Sequence, residues 1–365
     1  MSRVRVLIVD DAVVIRRLVS DVLGADPEIE VVGTAANGRI GLQKITQCNP
    51  DVVTMDIEMP DLDGIGTLRE IRKTWPALPV IMFSTLTERG AISTLDALAA
   101  GASDYVTKPA NVGSVTAGLD AVRRALIPKI KALAGRAPSP GRVFPSPAAA
   151  PASAGAGRGA AVEIVAIGVS TGGPNALAAV LPALSSTLPV PIVIVQHMPP
   201  MFTRLLAERL DAQSALTVVE GRAGMPLRPG HVYVAPGDFH MTVHRQGFEV
   251  VIALNQQPPE NSCRPAVDVL FRSVAATYRS GALGVVLTGM GQDGLRGSEL
   301  IHEAGGQVIV QDEASSVVWG MPGFVARAGL ASRVLPLNAI ADDITRRLIR
   351  RDAPAQALSQ AGGRK

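Results

Sequence analysis

Residues 164–174 read IVAIGVSTGGP. Six apolar or small residues run into Ser170, with glycines at 168, 172 and 173 around it and Pro174 closing the group. An apolar run of this length that stops at glycines is a buried strand, and the proline beyond opens a helix. A strand, a Gly-rich turn and a helix form the repeating unit of a parallel α/β sheet. Tight packing alone explains such glycines, and a literal G-x-S-x-G at 168–172 also arises by chance. Ser170 is a nucleophile only if a base and an acid reach it, so the rest of the chain decides.

The same alternation continues on the C-terminal side. Strands are predicted at PIVIVQH (191–197), HVYVAP (231–236), EVVIAL (249–254), LGVVLTG (283–289) and QVIVQD (307–312). Helical patterns fall at 174–184, 201–212, 265–279, 294–304 and 338–350. Two strands between 231 and 254 are expected to pair as a hairpin through RQG (245–247). On the N-terminal side RVLIVD (5–10), IEVVGTA (29–35), DVVTMD (51–56), PVIMFS (79–84) and DYVTK (104–108) alternate with helices at 13–24, 38–47, 64–74, 89–100 and 112–127. The expected fold class is α/β, with two doubly wound domains and mainly parallel sheets. Between them, 137–160 is almost entirely Pro, Ala, Gly and Ser and cannot bury enough surface to offset its ordering entropy. The predicted organisation is a first domain at 1–128, a linker at 129–160, a second domain at 161–352 and a disordered tail at 353–365.

The 365 residues are 47% hydrophobic, and no apolar run reaches the ~18 residues of a membrane span. The opening stretch MSRVRVLIVDDA has too short an apolar run for a secretory signal and ends in aspartates. Cys48 and Cys263 are far apart and form no disulfide or metal pattern, so a reduced, cytoplasmic setting is expected. Residues 1–128 hold 13 Lys and Arg against 16 Asp and Glu, 129–160 five basic residues and no acid, and 161–365 17 against 16. The basic excess therefore falls on the linker, and aromatics are only 3%. Both facts argue against a nucleic-acid surface. A monomer is expected.

In a doubly wound sheet, sites collect at the carboxyl ends of strands. Asp10 and Asp11 end the first strand and Asp56 the third. Lone strand-end aspartates are usually helix caps, but three at one edge repel each other and call for a cation. An all-oxygen set suits Mg²⁺. Ser84 and Lys108, at the ends of the fourth and fifth strands, would bind an oxyanion such as a phosphoryl group. The stretches VDD (9–11), MDIEMPDLDG (55–64), PVIMFS (79–84) and GASDYVTKP (101–109) resemble the response-regulator receiver, a CheY-like, flavodoxin-like domain. The resemblance implies Asp56 as phosphoacceptor, and Mg²⁺ held by Asp10, Asp11, Asp56 and the Glu58 backbone carbonyl. It also implies Ser84 and Lys108 as phosphoryl contacts and Tyr105 as the switch aromatic.

All five histidines lie beyond the linker. His197 ends a strand one β-α unit after Ser170 and so shares its sheet edge. His231 starts a strand, at the wrong end. His240 and His244 share a strand face but lack a third ligand, and His302 falls near a helix end. Asp293 lies in the glycine loop after 283–289; a turn aspartate there is usually a cap, yet it would complete Ser, His and Asp at one edge. An α/β-hydrolase order would need His302 with an acid such as Asp268, which falls inside a predicted helix. IGVSTGGP (167–174), VQHMPPMFTRLLAERL (195–210), VYVAPGDFHM (232–241), RPAVDVLF (264–271), LTGMGQDGLRG (287–297) and WGMP (319–322) resemble the chemotaxis protein-glutamate methylesterase (CheB) family.

That resemblance implies a Ser170, His197, Asp293 triad, with backbone N–H groups of Thr171 and Met290 as the oxyanion hole. It implies hydrolysis of glutamate methyl esters on the cytoplasmic helices of chemoreceptors, releasing methanol without a cofactor, and deamidation of some receptor glutamines. The phosphodonor would be the chemotaxis histidine kinase, and the unphosphorylated receiver would partly cover the active site. Two other readings stay open: a binding module that keeps the fold without the chemistry, and a hydrolase of a small metabolite ester. Cys263 beside RPAVDVLF is assigned no role.

Overall fold

The computed structural model describes residues 3–108, 115–135 and 161–349. The first unit has β1 (Val4–Val9), α1 (Val13–Gly24), β2 (Ile29–Ala35), α2 (Gly38–Cys48), β3 (Val52–Asp56), α3 (Gly64–Thr74), β4 (Val80–Ser84), α4 (Glu88–Ala99), β5 (Asp104–Thr107) and α5 (Val115–Ala134). Its five strands are parallel in the order β2-β1-β3-β4-β5. β3 and β4 are buried at every position, because helices cover both faces.

The second unit follows with β6 (Ile164–Val169), α6 (Gly173–Val180), β7 (Ile192–Gln196), α7 (Phe202–Gln213), β8 (Thr217–Glu220), β9 (His231–Val234), β10 (His240–Gln246), β11 (Glu249–Asn255), α8 (Val267–Tyr278), β12 (Ala282–Val286), α9 (Leu295–Glu303), β13 (Gln307–Gln311), α10 (Met321–Arg327), β14 (Arg333–Leu335) and α11 (Leu337–Ile349). Seven strands form one parallel sheet, β14-β13-β12-β6-β7-β9-β8, and β10 pairs with β11 as a separate antiparallel hairpin. The strands run parallel, so β6, β7 and β12 all end at one edge. Both units are the α/β architecture expected.

Three details differ from the expectation. The hairpin turns at the expected place, but its first arm is β10; the segment 231–234 joins the parallel sheet instead. The β8 strand and the α10 helix are too short to show a period in the sequence. Helix α5 runs through Pro128 to Ala134, past the expected start of the linker. Its apolar stripe continues beyond the proline: Leu126, Ile130 and Leu133 are all buried. Two lysines counted with the linker therefore sit on this folded helix, Lys129 paired with Asp104 and Lys131 with Asp26. The segment 136–160 and the tail 353–365 lie outside the described residues. No helix among the described residues is long and apolar enough to cross a membrane.

One buried cluster runs from one unit to the other, through Leu95, Leu98 and Tyr105 to Leu177, Phe202 and Leu206, and Val317 and Val318 pack on a second cluster of the first unit. The edge of the first sheet near β5 thus packs on the helices that flank the functional edge of the second.

Candidate functional site

The register of β6 and β7 pairs Val169 with Gln196. Ser170 and His197 are the next residues on two neighbouring parallel strands, and His197 N donates to Val169 O at 3.3 Å. On the other side of β6, Ser170 N donates to Thr288 O at 3.0 Å, which ties the serine to the loop after β12. Gln196 is buried, and its Nε2 donates to Ser170 O at 3.1 Å and His197 O at 3.4 Å. One carboxamide therefore holds the backbones of both residues. The turn needs glycine twice. Gly172 has φ +79° as the N-cap of α6, and a Cβ on Gly173 would collide with the Gln196 side chain.

Asp293 closes the group from the loop after β12. Its Oδ2 accepts from His197 Nε2 at 2.8 Å and from Val267 N at 2.7 Å. Its Oδ1 accepts from Asp268 N at 2.9 Å, Asn261 Nδ2 at 2.9 Å and Gly294 N at 3.0 Å. Burial alone would raise this carboxyl, but His197 and the backbone donors win and hold it below the ordinary carboxylate value. His197 feels the opposite balance. Burial would lower the imidazole, yet Asp293 and the neighbouring Cys263 side chain lift it to about 10. Cys263, unassigned from sequence, thus stands beside the ring.

Among the described residues no hydrogen bond joins the Ser170 hydroxyl to His197. The loop hydrogen bonds at this edge also leave out the N–H groups of Thr171 and Met290. Thr171 is buried, its hydroxyl donating to Asp104 Oδ2 at 2.7 Å. Asp104 belongs to β5 and also binds Lys129 Nζ at 2.6 Å. Tyr105, the next residue, stacks on Phe202 of α7 with ring centroids 5.1 Å apart. Around these contacts Asn175 Nδ2 donates to Leu98 O at 2.8 Å, and Arg204 and Arg209 pair with Glu88 and Asp96 of α4. The first unit therefore touches the residue that follows the serine.

The second polar site lies at the carboxyl edge of the first sheet. Asp10, Asp11 and Asp56 bring carboxylate oxygens within 4.8 Å of one another. Lys108 Nζ bridges Asp56 Oδ2 at 2.7 Å and Asp10 Oδ2 at 3.1 Å. Burial raises the Asp56 carboxyl even against Lys108. Arg16 draws in the Asp10 and Asp11 carbonyls at 2.5 and 2.8 Å. The Ser84 hydroxyl is buried and donates to Gly90 O at 3.1 Å. The Glu58 side chain faces Arg89 at 3.6 Å. Three clustered carboxylates with one residue exposed fit a hard, hydrated cation such as Mg²⁺. His240 is buried and His244 exposed on β10, and no other metal-type cluster occurs among the described residues. His231 and His302 lie away from the serine edge, at a strand start and in the last turn of α9.

Sequence reasoning missed Gln196, Asn261 and Asp104 altogether, and gave Asp268 only a rejected role. Their signals are weak: an amide at a strand end, an Asn in a Pro-rich loop and an Asp at a strand start.

Comparison with known proteins gives a CheB methylesterase family match over residues 165–344 and a response regulator receiver match over 6–120. A Nocardioides protein named protein-glutamate methylesterase/protein-glutamine glutaminase is 57% identical over 98% of this chain and 100% of its own length. One of the same name from Trichodesmium erythraeum is 53% identical over 95% and 100%. The crystal structure of the Thermotoga maritima CheB methylesterase catalytic domain is 45% identical, with a TM-score of 0.50, covering 51% of this chain and 98% of that one.

Proposed function

Since the chain belongs to the CheB family of protein-glutamate methylesterase/protein-glutamine glutaminases, we propose that Ser170, His197 and Asp293 are the triad with which it hydrolyses glutamyl methyl esters on chemoreceptors. It is a hydrolase joined to a response-regulator receiver. The observation that carries the proposal is the 2.8 Å His197–Asp293 bond at the strand edge where Ser170 is displayed.

In this reading Ser170 Oγ attacks the ester carbonyl, and its proton passes to the His197 nitrogen not bound to Asp293. The oxyanion is met by the Thr171 and Met290 N–H groups, at the N-terminus of α6. His197 returns the proton to the leaving methoxide, methanol departs, and water then cleaves the acyl-enzyme by the same route. A receptor glutamine would react likewise, losing ammonia. No cofactor takes part in the hydrolysis.

Asp56 would accept the phosphoryl group from the chemotaxis histidine kinase, with Ser84 and Lys108 binding its oxygens. Asp10, Asp11, Asp56 and the Glu58 carbonyl would hold Mg²⁺, which when bound offsets the negative charge gathered there. Tyr105, wedged against Phe202, would couple that event to the interface. The Asp104–Thr171 bond supports the reading that the unphosphorylated receiver restrains the active edge. The deciding experiment is methanol release from methylated receptor membranes, with and without a small phosphodonor. Release that depends on Ser170 and rises with the phosphodonor is expected; release by a folded Ser170→Ala protein at the ordinary rate overturns the proposal.

A further inference from the structure

Behind the triad, two buried aspartates cap each other's helices. Asp293, in the loop that opens α9, accepts from Val267 N and Asp268 N, the first two N–H groups of α8. Asp268, in the first turn of α8, returns the arrangement: its Oδ1 accepts from Gly294 N at 3.0 Å and Gly297 N at 2.7 Å, at the start of α9. Neither Ala266 nor Gly294 caps its own helix with a side chain. Side chains from the other element therefore meet orphan N–H groups at both helix starts. Asn261 completes the network. Its Nδ2 donates to Asp268 Oδ2 at 2.8 Å and to Asp293 Oδ1 at 2.9 Å, and it holds φ +53° in doing so.

We propose that Asp268 and Asn261 are positioning residues of the esterase, which fix the loop carrying Asp293 so that one carboxylate oxygen stays aimed at His197. The inference rests on the triad reading of Ser170, His197 and Asp293. It follows from how the oxygens are shared. Asp293 Oδ1 is filled by Asn261, Asp268 N and Gly294 N, which leaves Oδ2, anchored by Val267 N, for the imidazole. Two carboxylates 1% and 2% exposed would repel strongly without these donors. Consistent with that, burial and Asp293 together raise the Asp268 carboxyl to about 6. The other titratable and charged groups facing the pair are His197 across Asp293, with Cys263 beside its ring, Glu260 from the loop before Asn261, and Arg272, which binds Glu260 at 2.5 Å. From α9 the pair meets backbone N–H groups.

The two residues affect His197 in opposite directions. Removing the Asn261 donor leaves the Asp293 carboxylate less satisfied and more basic, so it holds the imidazolium more tightly. Removing the Asp268 charge lowers the negative potential around the imidazolium and loosens it. The amide of Asp268→Asn keeps an oxygen for the Gly294 and Gly297 N–H groups, so the variant removes the charge and the Asn261–Asp268 bond while both caps onto α9 are retained.

The experiment measures methanol release from methylated receptor membranes across pH by full-length wild type, Asn261→Ala, Asp268→Asn and Ser170→Ala. NMR of the ring-labelled histidine follows the His197 titration in the same proteins. Expected are a kcat loss on the order of tenfold for Asn261→Ala with KM within about twofold, and an acid limb moved to higher pH. Asp268→Asn should move the acid limb and the His197 titration to lower pH. A purely structural role would lower the melting temperature and leave the titration in place, and that result overturns the proposal. Should Asn261→Ala not fold, the near-isosteric Asp268→Asn decides alone. An inactive Ser170→Ala beside unshifted variants rejects only the positioning role, whereas an active Ser170→Ala rejects the triad and this inference together.

Discussion

Each half of the molecule gathers aspartates at the carboxyl edge of a parallel sheet, and the two clusters are neutralised in different ways. Asp10, Asp11 and Asp56 keep one exposed member and have Lys108 as a countercharge on a side chain. Asp268 and Asp293 are both buried and are met by backbone N–H groups, Asn261 and one imidazole. The first arrangement, with one carboxylate exposed, would suit a cation and a phosphoryl group that come and go, as the proposed function requires. The second spends its oxygens on fixed donors, so that a single direction remains open, toward His197. Preorganised donors cost no rearrangement during reaction. On the proposed function, the same residue type serves a reversible charge switch in one unit and, in the other, orients the histidine of a proton relay.

The largest expected effect tests the relay. Ser170→Ala should lower methanol release by about 10³-fold or more, and His197→Ala nearly as much. Because the groups act as a unit, the double variant should lose little beyond either single one. Additive losses, measured by initial methanol release, would break the comparison on its esterase side.

The next test concerns the switch. Asp56→Asn should take up no phosphoryl group from a small phosphodonor with Mg²⁺ and lose the whole of its stimulation. Intact-protein mass spectrometry reads the first and methanol release the second. A phosphoryl group found elsewhere on the chain would mean that the first cluster is not the switch.

The raised imidazole sets a pH dependence. His197 must be neutral to accept the serine proton, so methanol release by the unphosphorylated chain should climb as pH rises toward about 10. Stability should move the other way. The folded pKa lies above the ordinary 6.5, so the stability His197 draws from Asp293 and Cys263 is complete below about pH 6.5 and is lost as pH rises through about 10. Melting temperatures of wild type and His197→Gln should therefore converge toward alkaline pH. Parallel curves would show that the pair carries no such linkage.

The smallest effect is expected at the contact between the halves. Asp104→Ala removes the carboxylate that holds Thr171 and Lys129. Loss of one such hydrogen bond, ~1 kcal/mol, should raise unphosphorylated methanol release by roughly fivefold. An unchanged rate would assign the restraint to the Tyr105–Phe202 stack and its apolar surroundings instead.

Several of these residues were visible before any coordinates. Strand-then-glycine patterns mark Ser170 and Asp293, and a strand-end histidine marks His197, because a parallel sheet forces its functional residues to the carboxyl ends of strands. Asp10, Asp11 and Asp56 are legible for the same reason. The continuation of α5 through Pro128 is not legible locally, because a proline is a local stop signal and the burial of Ile130 and Leu133 is a tertiary gain that overrides it.

Sequence alone determined the two α/β units, their alternation and the residues at each sheet edge, since hydrophobic period and glycine turns are local properties of the chain. Tertiary structure alone decided which oxygens face which donors. Asn261 meets Asp293 across 32 positions, Asp268 receives the N–H of Gly297 across 29, and Thr171 reaches Asp104 across 67. Such partners have no spacing rule, because they are brought together by the packing of helices whose separation along the chain is set by everything folded between them.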